Sequence, residues 1–332
     1  MNHTSFRAIV VNETESKQFV RNVVEKEVSS LPEGDVLIQV HYSSLNYKDA
    51  LSATGNKGVT RTYPHTPGID AAGEVVSSED ETVKVGDQVI VTGYDLGMNT
   101  SGGFGEYIRV PASWIISLPE GMSLKESMMY GTAGFTAALS VYKLIRAGIT
   151  PSMGDVLVTG ATGGVGSVAV SILSKLGFNV VGATGKMEEE QMLLRLGAKK
   201  VIHRAELNDE SGRPMLKGGY AGVIDTVGGK ILETALKLVR YDGCVTTCGN
   251  VAGHELHTTV YPFILRGVSL LGIDSVQCPV DVRRVVWALL AEDWKSLELL
   301  SYTAECTLEE LDEKFELILQ GKLKGRTVVK MK

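Results

Sequence analysis

The octet Thr159-Gly160-Ala161-Thr162-Gly163-Gly164-Val165-Gly166 has residue types and spacing that suit an anion. It follows a short apolar run, Val156-Leu157-Val158. Behind it Val165, Val168, Ala169, Ile172, Leu173 and Leu176 recur at helical spacing. Glycines at such a turn allow a tight bend, close backbone approach to a pyrophosphate, and close helix–strand packing. The helix start then offers unpaired N–H groups and the positive end of its dipole. A glycine-rich turn alone signals little. With a strand before it, a helix after it and more strands behind, it predicts dinucleotide binding by Ala161, Thr162, Gly163, Gly164 and Val165.

The next strand end bears on which dinucleotide. An NAD-binding site places an Asp or Glu about 20 residues past the glycine loop, on the ribose 2′-hydroxyl. Here Asn179–Ala183 runs into Thr184-Gly185-Lys186, and the first carboxylate is Glu188. A hydroxyl, a bare backbone and an ammonium are offered instead. Arg204, just past the third strand, can reach the same place, because adjacent parallel strands end side by side. Thr184, Gly185, Lys186 and Arg204 therefore read as a clamp for a 2′-phosphate, which predicts NADP(H). The alternative is cations simply solvated at strand ends. The octet also fits the glycine pattern of short-chain dehydrogenases, but those use a Tyr-x-x-x-Lys pair. None of the 11 tyrosines has a lysine four residues on.

The elements that must position these residues alternate. Strands are expected over Val156–Thr159, Asn179–Ala183, Lys200–His203, Gly222–Thr226, Cys244–Cys248 and Ser269–Ile273, with helices over Glu188–Leu196 and Lys230–Arg240 among them. That order means a doubly wound parallel sheet in an α/β fold. A proline-free helical period over Met128–Arg146 leads into it. Before it lie short strands at Val36–Val40, Gly73–Val76 and Asp87–Val91, and a glycine-rich loop over Thr100–Gly105. After Asp281 come helical stretches and a last strand, Gly325–Lys330, expected to return to the first domain. The expected division is 128–275 for the dinucleotide domain and 1–127 with 276–332 for a β-rich catalytic domain.

Composition narrows the class. The 332 residues are 44% hydrophobic and 22% charged, which is ordinary for a globular chain of about two domains. The net charge of −6 argues against non-specific nucleic-acid binding. Four cysteines without a C-x-x-C argue against a disulfide framework or a zinc ribbon. The apolar run Ala8–Val11 is too short for a signal peptide, and no run of about 18 apolar residues predicts a membrane span. A cytoplasmic protein with no membrane or nucleic-acid partner is expected.

A β-rich domain, a dinucleotide half and a return strand resemble the medium-chain dehydrogenase/reductase superfamily over essentially the whole chain. Pro67-Gly68-Ile69-Asp70-Ala71-Ala72-Gly73-Glu74-Val75 is similar to its Pro-Gly-His-Glu-x-x-Gly segment. Ser44-Leu45-Asn46-Tyr47-Lys48-Asp49 is similar to its Cys-x-x-Asp segment, and Gly131–Ala137 to the helix carrying a third zinc ligand. Leu45–Ala50, Asp225-Thr226-Val227-Gly228 and Pro262–Arg266 resemble the zinc-free YhdH/YhfP quinone oxidoreductases, a group that includes acrylyl-CoA reductases. The resemblance implies a Rossmann sheet beside a GroES-like domain. It also implies further cofactor contacts from Asn250, Ile264 and Ser275, and a homodimer. An edge strand at Ser269–Ile273 would suit such pairing.

The departures bear on chemistry. Where the superfamily has Cys, His and Cys around catalytic zinc, this chain has Asn46, Ile69 and Thr132. Ile cannot ligate, and neutral Asn and Thr are poor zinc ligands. The cysteine-rich structural-zinc lobe is also missing from Met98–Gly105. No metal is expected, and alcohol oxidation is disfavoured. Hydride transfer to an acceptor already electrophilic remains: an alkene conjugated to a carbonyl, such as acrylyl-CoA, or a quinone. A non-catalytic nucleotide-sensing role is a third possibility. Tyr47 beside the vacated zinc position can donate a proton or contact cofactor, with Asn46 and Asp49 as second choices. Packing against the nicotinamide is the plainer role for Tyr47. Lys322, Lys324 and Arg326 can meet an anionic substrate tail or sit solvated before the last strand. His254 with His257, and Cys244 with Cys248, read better as surface histidines and buried small hydrophobes than as ligands.

Overall fold

The computed structural model describes residues 4–331. The chain forms two compact units. One runs to Thr132 and takes in Val276–Ala291 and the segment from Tyr302; the other is Ala133–Ser275 with Glu292–Ser301. Set beside the expected division, 128–132 group with the first unit and 292–301 with the second.

The first unit begins with a hairpin, β1 (Ser5–Glu13) against β2 (Phe19–Glu27), which the sequence reading had not singled out. β3 (Val36–Ser44) follows. Val36, Ile38 and Val40 are buried and Gln39 is exposed, the alternation of a strand with one covered face. A short helix, α1 (Tyr47–Ala53), leads to β4 (Asp70–Ser78), β5 (Gln88–Thr92), β6 (Tyr107–Val110) and β7 (Ile115–Ser117). The helical stretch α2 (Leu124–Arg146) breaks at Gly131, whose φ of 50° and ψ of −156° are not helical. The expected unbroken helix over Met128–Arg146 is corrected on this point.

In the second unit come β8 (Val156–Thr159), α3 (Gly164–Lys175), β9 (Val180–Thr184), α4 (Glu190–Arg195), β10 (Lys200–His203) and β11 (Tyr220–Asp225). They continue into α5 (Gly229–Leu238), β12 (Val239–Thr247), α6 (Tyr261–Arg266) and β13 (Ser269–Gly272). The sheet order is β10-β9-β8-β11-β12-β13, and every pairing is parallel. This is the doubly wound Rossmann order, with the switch point at β8/β11. Every residue of β8 and β9 is buried, as strands covered on both faces require. In α3 the expected apolar positions Val168, Ala169, Ile172 and Leu173 are buried, but so are Ser167, Val170 and Ser171 between them, so the helix is covered on all sides over Gly166–Leu173 rather than on one face.

α7 (Val280–Ala291), β14 (Thr303–Cys306), α8 (Leu311–Leu319) and β15 (Arg326–Lys330) complete the first unit. β15 pairs antiparallel with β3 and parallel with β14, so the last strand does return to the first sheet. That sheet runs β14-β15-β3-β4-β5-β7, with β6 also on β3. Among the described residues no helix is long and apolar enough to cross a membrane.

Candidate active site

In the Rossmann unit β8 delivers Thr159 to the glycine turn. Gly160 has φ +58°, and a Cβ there would meet Thr226 Oγ1 at 2.4 Å. A Cβ on Gly166 would lie 2.3 Å from the Gly160 carbonyl oxygen, so helix and turn close only on glycine. Gly163 caps α3 with no side-chain hydrogen bond, leaving the first N–H groups of a helix of 12 residues for an outside acceptor. The expected loop residues Ala161 to Val165 therefore form a cradle that suits a pyrophosphate.

Asp225, at the end of β11, ties this turn to its neighbours. Its buried carboxylate accepts from Thr159 Oγ1 at 2.8 Å, Thr247 Oγ1 at 2.9 Å and Gly228 N at 3.0 Å. Burial pushes its pKa up, and these hydroxyl and amide donors hold it back. Beyond it, Thr247, Cys248, Gly249, Asn250, Gly272 and Asp274 line a cavity of about 560 Å³ at the carboxyl ends of β12 and β13, where ligands bind in open parallel sheets. Asn250 is thus at the cavity. Ser275 is buried and accepts from Thr136 Oγ1 at 2.8 Å. Ile264 lies on α6 and is 68% exposed.

The clamp residues come together. The hydroxyls of Thr162 and Thr184 lie 2.9 Å apart, and Lys186 N donates to Thr184 Oγ1 at 3.0 Å. β10 pairs with β9 so that His203 stands opposite Thr184, which carries Arg204 to the same strand ends. Arg204 lies across Gly185: a Cβ there would meet Arg204 Nε at 2.8 Å. The Thr184 hydroxyl, the bare Gly185 backbone, the Lys186 N–H and the Arg204 guanidinium thus lie at the same strand ends.

In the first unit Asn46 caps α1, and Tyr47 is its first residue, 42% exposed. Below them is a buried polar cluster. Asp70 accepts from Asn46 Nδ2 at 2.7 Å, from Thr132 N at 2.9 Å, and from the hydroxyls of Ser44 and Thr132. Asp49 accepts from Asn46 N and Ile69 N, each at 2.8 Å. Burial, and next the charge of Asp70, push the Asp49 carboxyl up to about 7, against the pull of those amide donors.

Arg326 corrects an expectation. It neither meets a substrate tail nor sits solvated; it is buried at 3% exposure in this cluster. Its guanidinium donates to Met129 O at 3.0 Å, Ser44 Oγ at 2.8 Å, Leu45 O at 3.3 Å and Asn46 Oδ1 at 3.4 Å. Burial lowers its pKa, opposed by Asp70 and Asp49. Lys322 and Lys324 are exposed. His257 pairs with Glu233 at 3.1 Å on the surface. Burial pushes the thiol of Cys244 up to about 11 and that of Cys248 to about 12. Sequence reasoning missed Ser44, Asp70 and Asp225 as polar centres. Asp70 and Asp225 were visible only as members of similar-looking runs.

Residues 32–120 match the alcohol dehydrogenase GroES-like domain, and residues 164–292 match the zinc-binding dehydrogenase family. The chain is 50% identical over 302 residues to the "putative quinone oxidoreductase YhfP" of Bacillus subtilis (91% of this chain, 92% of the relative). It is 42% identical over 325 residues to the acrylyl-CoA reductase AcuI of Ruegeria pomeroyi (98% of each). The yhdH oxidoreductase from Salmonella enterica, crystallised in complex with NADP, superposes with a TM-score of 0.95 at 44% identity, over 98% of this chain and 100% of that one. Bacillus subtilis yhfP with NAD bound gives 0.96 at 47%, over 99% and 100%. The chain therefore belongs to the medium-chain dehydrogenase/reductase family, in the group that holds YhfP and the AcuI acrylyl-CoA reductases.

Zinc, which the matched family's name implies, does not fit the donors here. Asn46 Nδ2 and the Thr132 hydroxyl donate to Asp70, and the Ile69 side chain has no atom that can ligate a metal. A dinucleotide does fit the glycine cradle and the bare Gly185 beside Arg204.

Proposed function

We propose that this protein is an NADPH-dependent reductase of an activated double bond in an α,β-unsaturated carbonyl of the acrylyl-CoA type, working without zinc. The observation that carries this reading is that Asn46 and Thr132, at two of the zinc-ligand positions, bond to Asp70 and the third position is the hydrocarbon side chain of Ile69, while the dinucleotide cradle is intact. With no metal to polarise an alkoxide, a substrate whose own carbonyl activates the alkene is the one this site suits. The acrylyl-CoA reductase relative supports the substrate class.

A bound nicotinamide would supply the hydride for the β-carbon, leaving the electron pair of the double bond on the substrate as an enolate that needs a proton. The residues of the chain do the rest. The amides of the Ala161–Val165 turn and the start of α3 hold the pyrophosphate. Thr184, Lys186 and Arg204 hold the 2′-phosphate by charge-assisted hydrogen bonds. Asn250, Ile264 and Ser275 complete the cofactor contacts. The Tyr47 phenol, at the exposed start of α1, donates the proton that the enolate takes up. The Asn46 amide is oriented by Asp70 beneath it.

Quinone reduction is the second reading, favoured by the YhfP relative. The same hydride step serves, with solvent supplying the protons. The protein resides in the cytoplasm, and its four cysteines stand as free thiols. It acts as a homodimer with neither nucleic acid nor membrane as partner. β13 is an outer strand of the parallel sheet, and Leu270 and Leu271 on it are half-buried. An apolar edge invites strand pairing, and two-fold dimers are the commonest oligomers.

The test is NADPH consumption with acrylyl-CoA, crotonyl-CoA and benzoquinone. Fastest turnover on acrylyl-CoA is expected. Turnover on benzoquinone alone moves the assignment to the second reading, and no oxidation with any acceptor overturns both.

A further inference from the structure

The cluster below Asn46 contains charge of both signs, and its partners come from distant stretches of the chain. Arg326 enters at the start of β15, Asp70 at the start of β4, Ser44 at the end of β3, Asn46 between β3 and α1, and Met129 to Thr132 at the break in α2. We propose that Arg326 and Asp70, bridged by Ser44, do the positional work that a bound metal does in zinc-dependent enzymes: they lock Asn46 and Thr132 in register and so fix the start of α1 that carries Tyr47. The inference rests on the proposed reductase activity only for its kinetic readout.

Each group has one arrangement that satisfies it. The Ser44 hydroxyl donates to Asp70 Oδ2 and accepts from Arg326 Nη2 at 2.8 Å, so it passes polarity from cation to anion. The Asn46 amide turns its Nδ2 to Asp70 at 2.7 Å and to Ser44 O at 3.3 Å, and its Oδ1 to Arg326 at 3.4 Å. The reverse orientation would set donor against cation and acceptor against anion, so charge alone fixes which way the amide faces. Thr132 offers both its N–H and its hydroxyl to the same carboxylate. Gly131 allows this approach. A Cβ there would meet Ser44 Oγ at 2.2 Å, Asp70 Oδ2 at 2.5 Å and Arg326 Nη2 at 2.9 Å.

Stability is a poor reason to keep such a cluster. Taking a guanidinium and a carboxylate out of water costs more than their attraction commonly returns, and well-packed apolar replacements are often as stable. What the pair supplies is geometry. Planar Arg326 reaches two backbone carbonyls and two side chains with one rigid fork, which a lysine cannot do. Arg326 and Asp70 are therefore positioning residues.

The experiment compares wild type, Arg326→Met, Asp70→Asn, the double variant and Arg326→Lys. Three readouts are taken: kcat and KM with an acceptor wild type accepts, NADPH affinity by fluorescence titration, and the urea unfolding midpoint. Misplacing a reacting group by about 1 Å costs about 100-fold in rate. Each single variant should lose about that much kcat while NADPH affinity stays within about threefold, since the pyrophosphate cradle lies in the Rossmann unit. The double variant should be no slower than the slower single, because both break one lock. Arg326→Lys keeps the charge and is the variant to read if the others do not fold; a loss of about tenfold in kcat is expected from it. Wild-type kcat in any of these, or losses that multiply in the double, would overturn the inference. If wild type itself consumes no NADPH, the proposed function fails, and the lock is judged on unfolding alone. Non-additive midpoint shifts for Arg326 and Asp70 then support it, and additive ones refute it.

Discussion

Asp49 gives the protein a stability that falls as pH rises. Its carboxyl is fully buried, and burial with the Asp70 charge lifts its pKa from 3.8 to about 7. The unfolded chain releases this proton near the ordinary value, whereas the folded chain holds it. Between those two points the unfolded state binds fewer protons, so unfolding becomes easier as pH rises. At about 1.4 kcal/mol per pKa unit, the rise from 3.8 to about 7 takes about 4 kcal/mol from the folded state, all of it between about pH 4 and pH 7. Asp225, whose carboxyl is also raised by burial, adds to the same trend, so wild type alone does not isolate Asp49. The comparison is with Asp49→Asn. Both carboxyl oxygens accept backbone N–H groups, so the amide must set its own N–H against one of them. That is a fixed loss of about 1–3 kcal/mol, the same at every pH. Urea denaturation at steps from pH 4 to pH 8 should therefore show the variant less stable than wild type by about 1–3 kcal/mol in acid, with the difference moving by about 4 kcal/mol in the variant's favour toward pH 8, so that the order of stability reverses. Stability curves that stay parallel across that range would refute the argument, because they would mean Asp49 titrates alike in both states.

Tyr47→Phe should lower kcat by about 10²–10⁴-fold with little change in NADPH affinity, as loss of a positioned acid does; an unchanged kcat in steady-state assays would reduce Tyr47 to a binding residue. Lys186→Glu and Arg204→Ala should each shift the kcat/KM ratio of NADPH to NADH toward NADH, and equal ratios for the two cofactors in wild type would mean Thr184, Lys186 and Arg204 hold no phosphate. Gly131→Ala should lose at least about 3 kcal/mol of stability in urea denaturation, since the new Cβ meets Ser44 Oγ at 2.2 Å in a left-handed backbone; near-wild-type stability would show that the break in α2 can relax. Light scattering at micromolar concentration should return the mass of two chains, and a monomer mass would remove β13 as a pairing edge.

Much of the Rossmann unit could be read from the residues in order. β8 and β9 are short, wholly buried apolar runs, and the apolar residues of α3 recur at helical spacing and are covered, so local pattern and final environment agree there. The geometry of the glycine turn was legible for the same reason, because its glycines answer to contacts within the turn itself, such as Gly166 against the Gly160 carbonyl. The missing carboxylate after β9 and the Asn46, Ile69 and Thr132 set were likewise plain from residue type and a familiar spacing. Arg326 was not. A basic residue near the end of a chain, beside Lys322 and Lys324, reads as solvated, and only the pairing of β15 with β3 carries it to Asn46, 280 residues away in sequence. The break at Gly131 was hidden too, since its cause is the approach of Ser44 and Asp70 from other strands. Periodicity reports which face of an element is apolar, and the residues of one loop report their own turn. Where a buried charge finds its counter-charge depends on long-range strand register, and a linear pattern carries no trace of it.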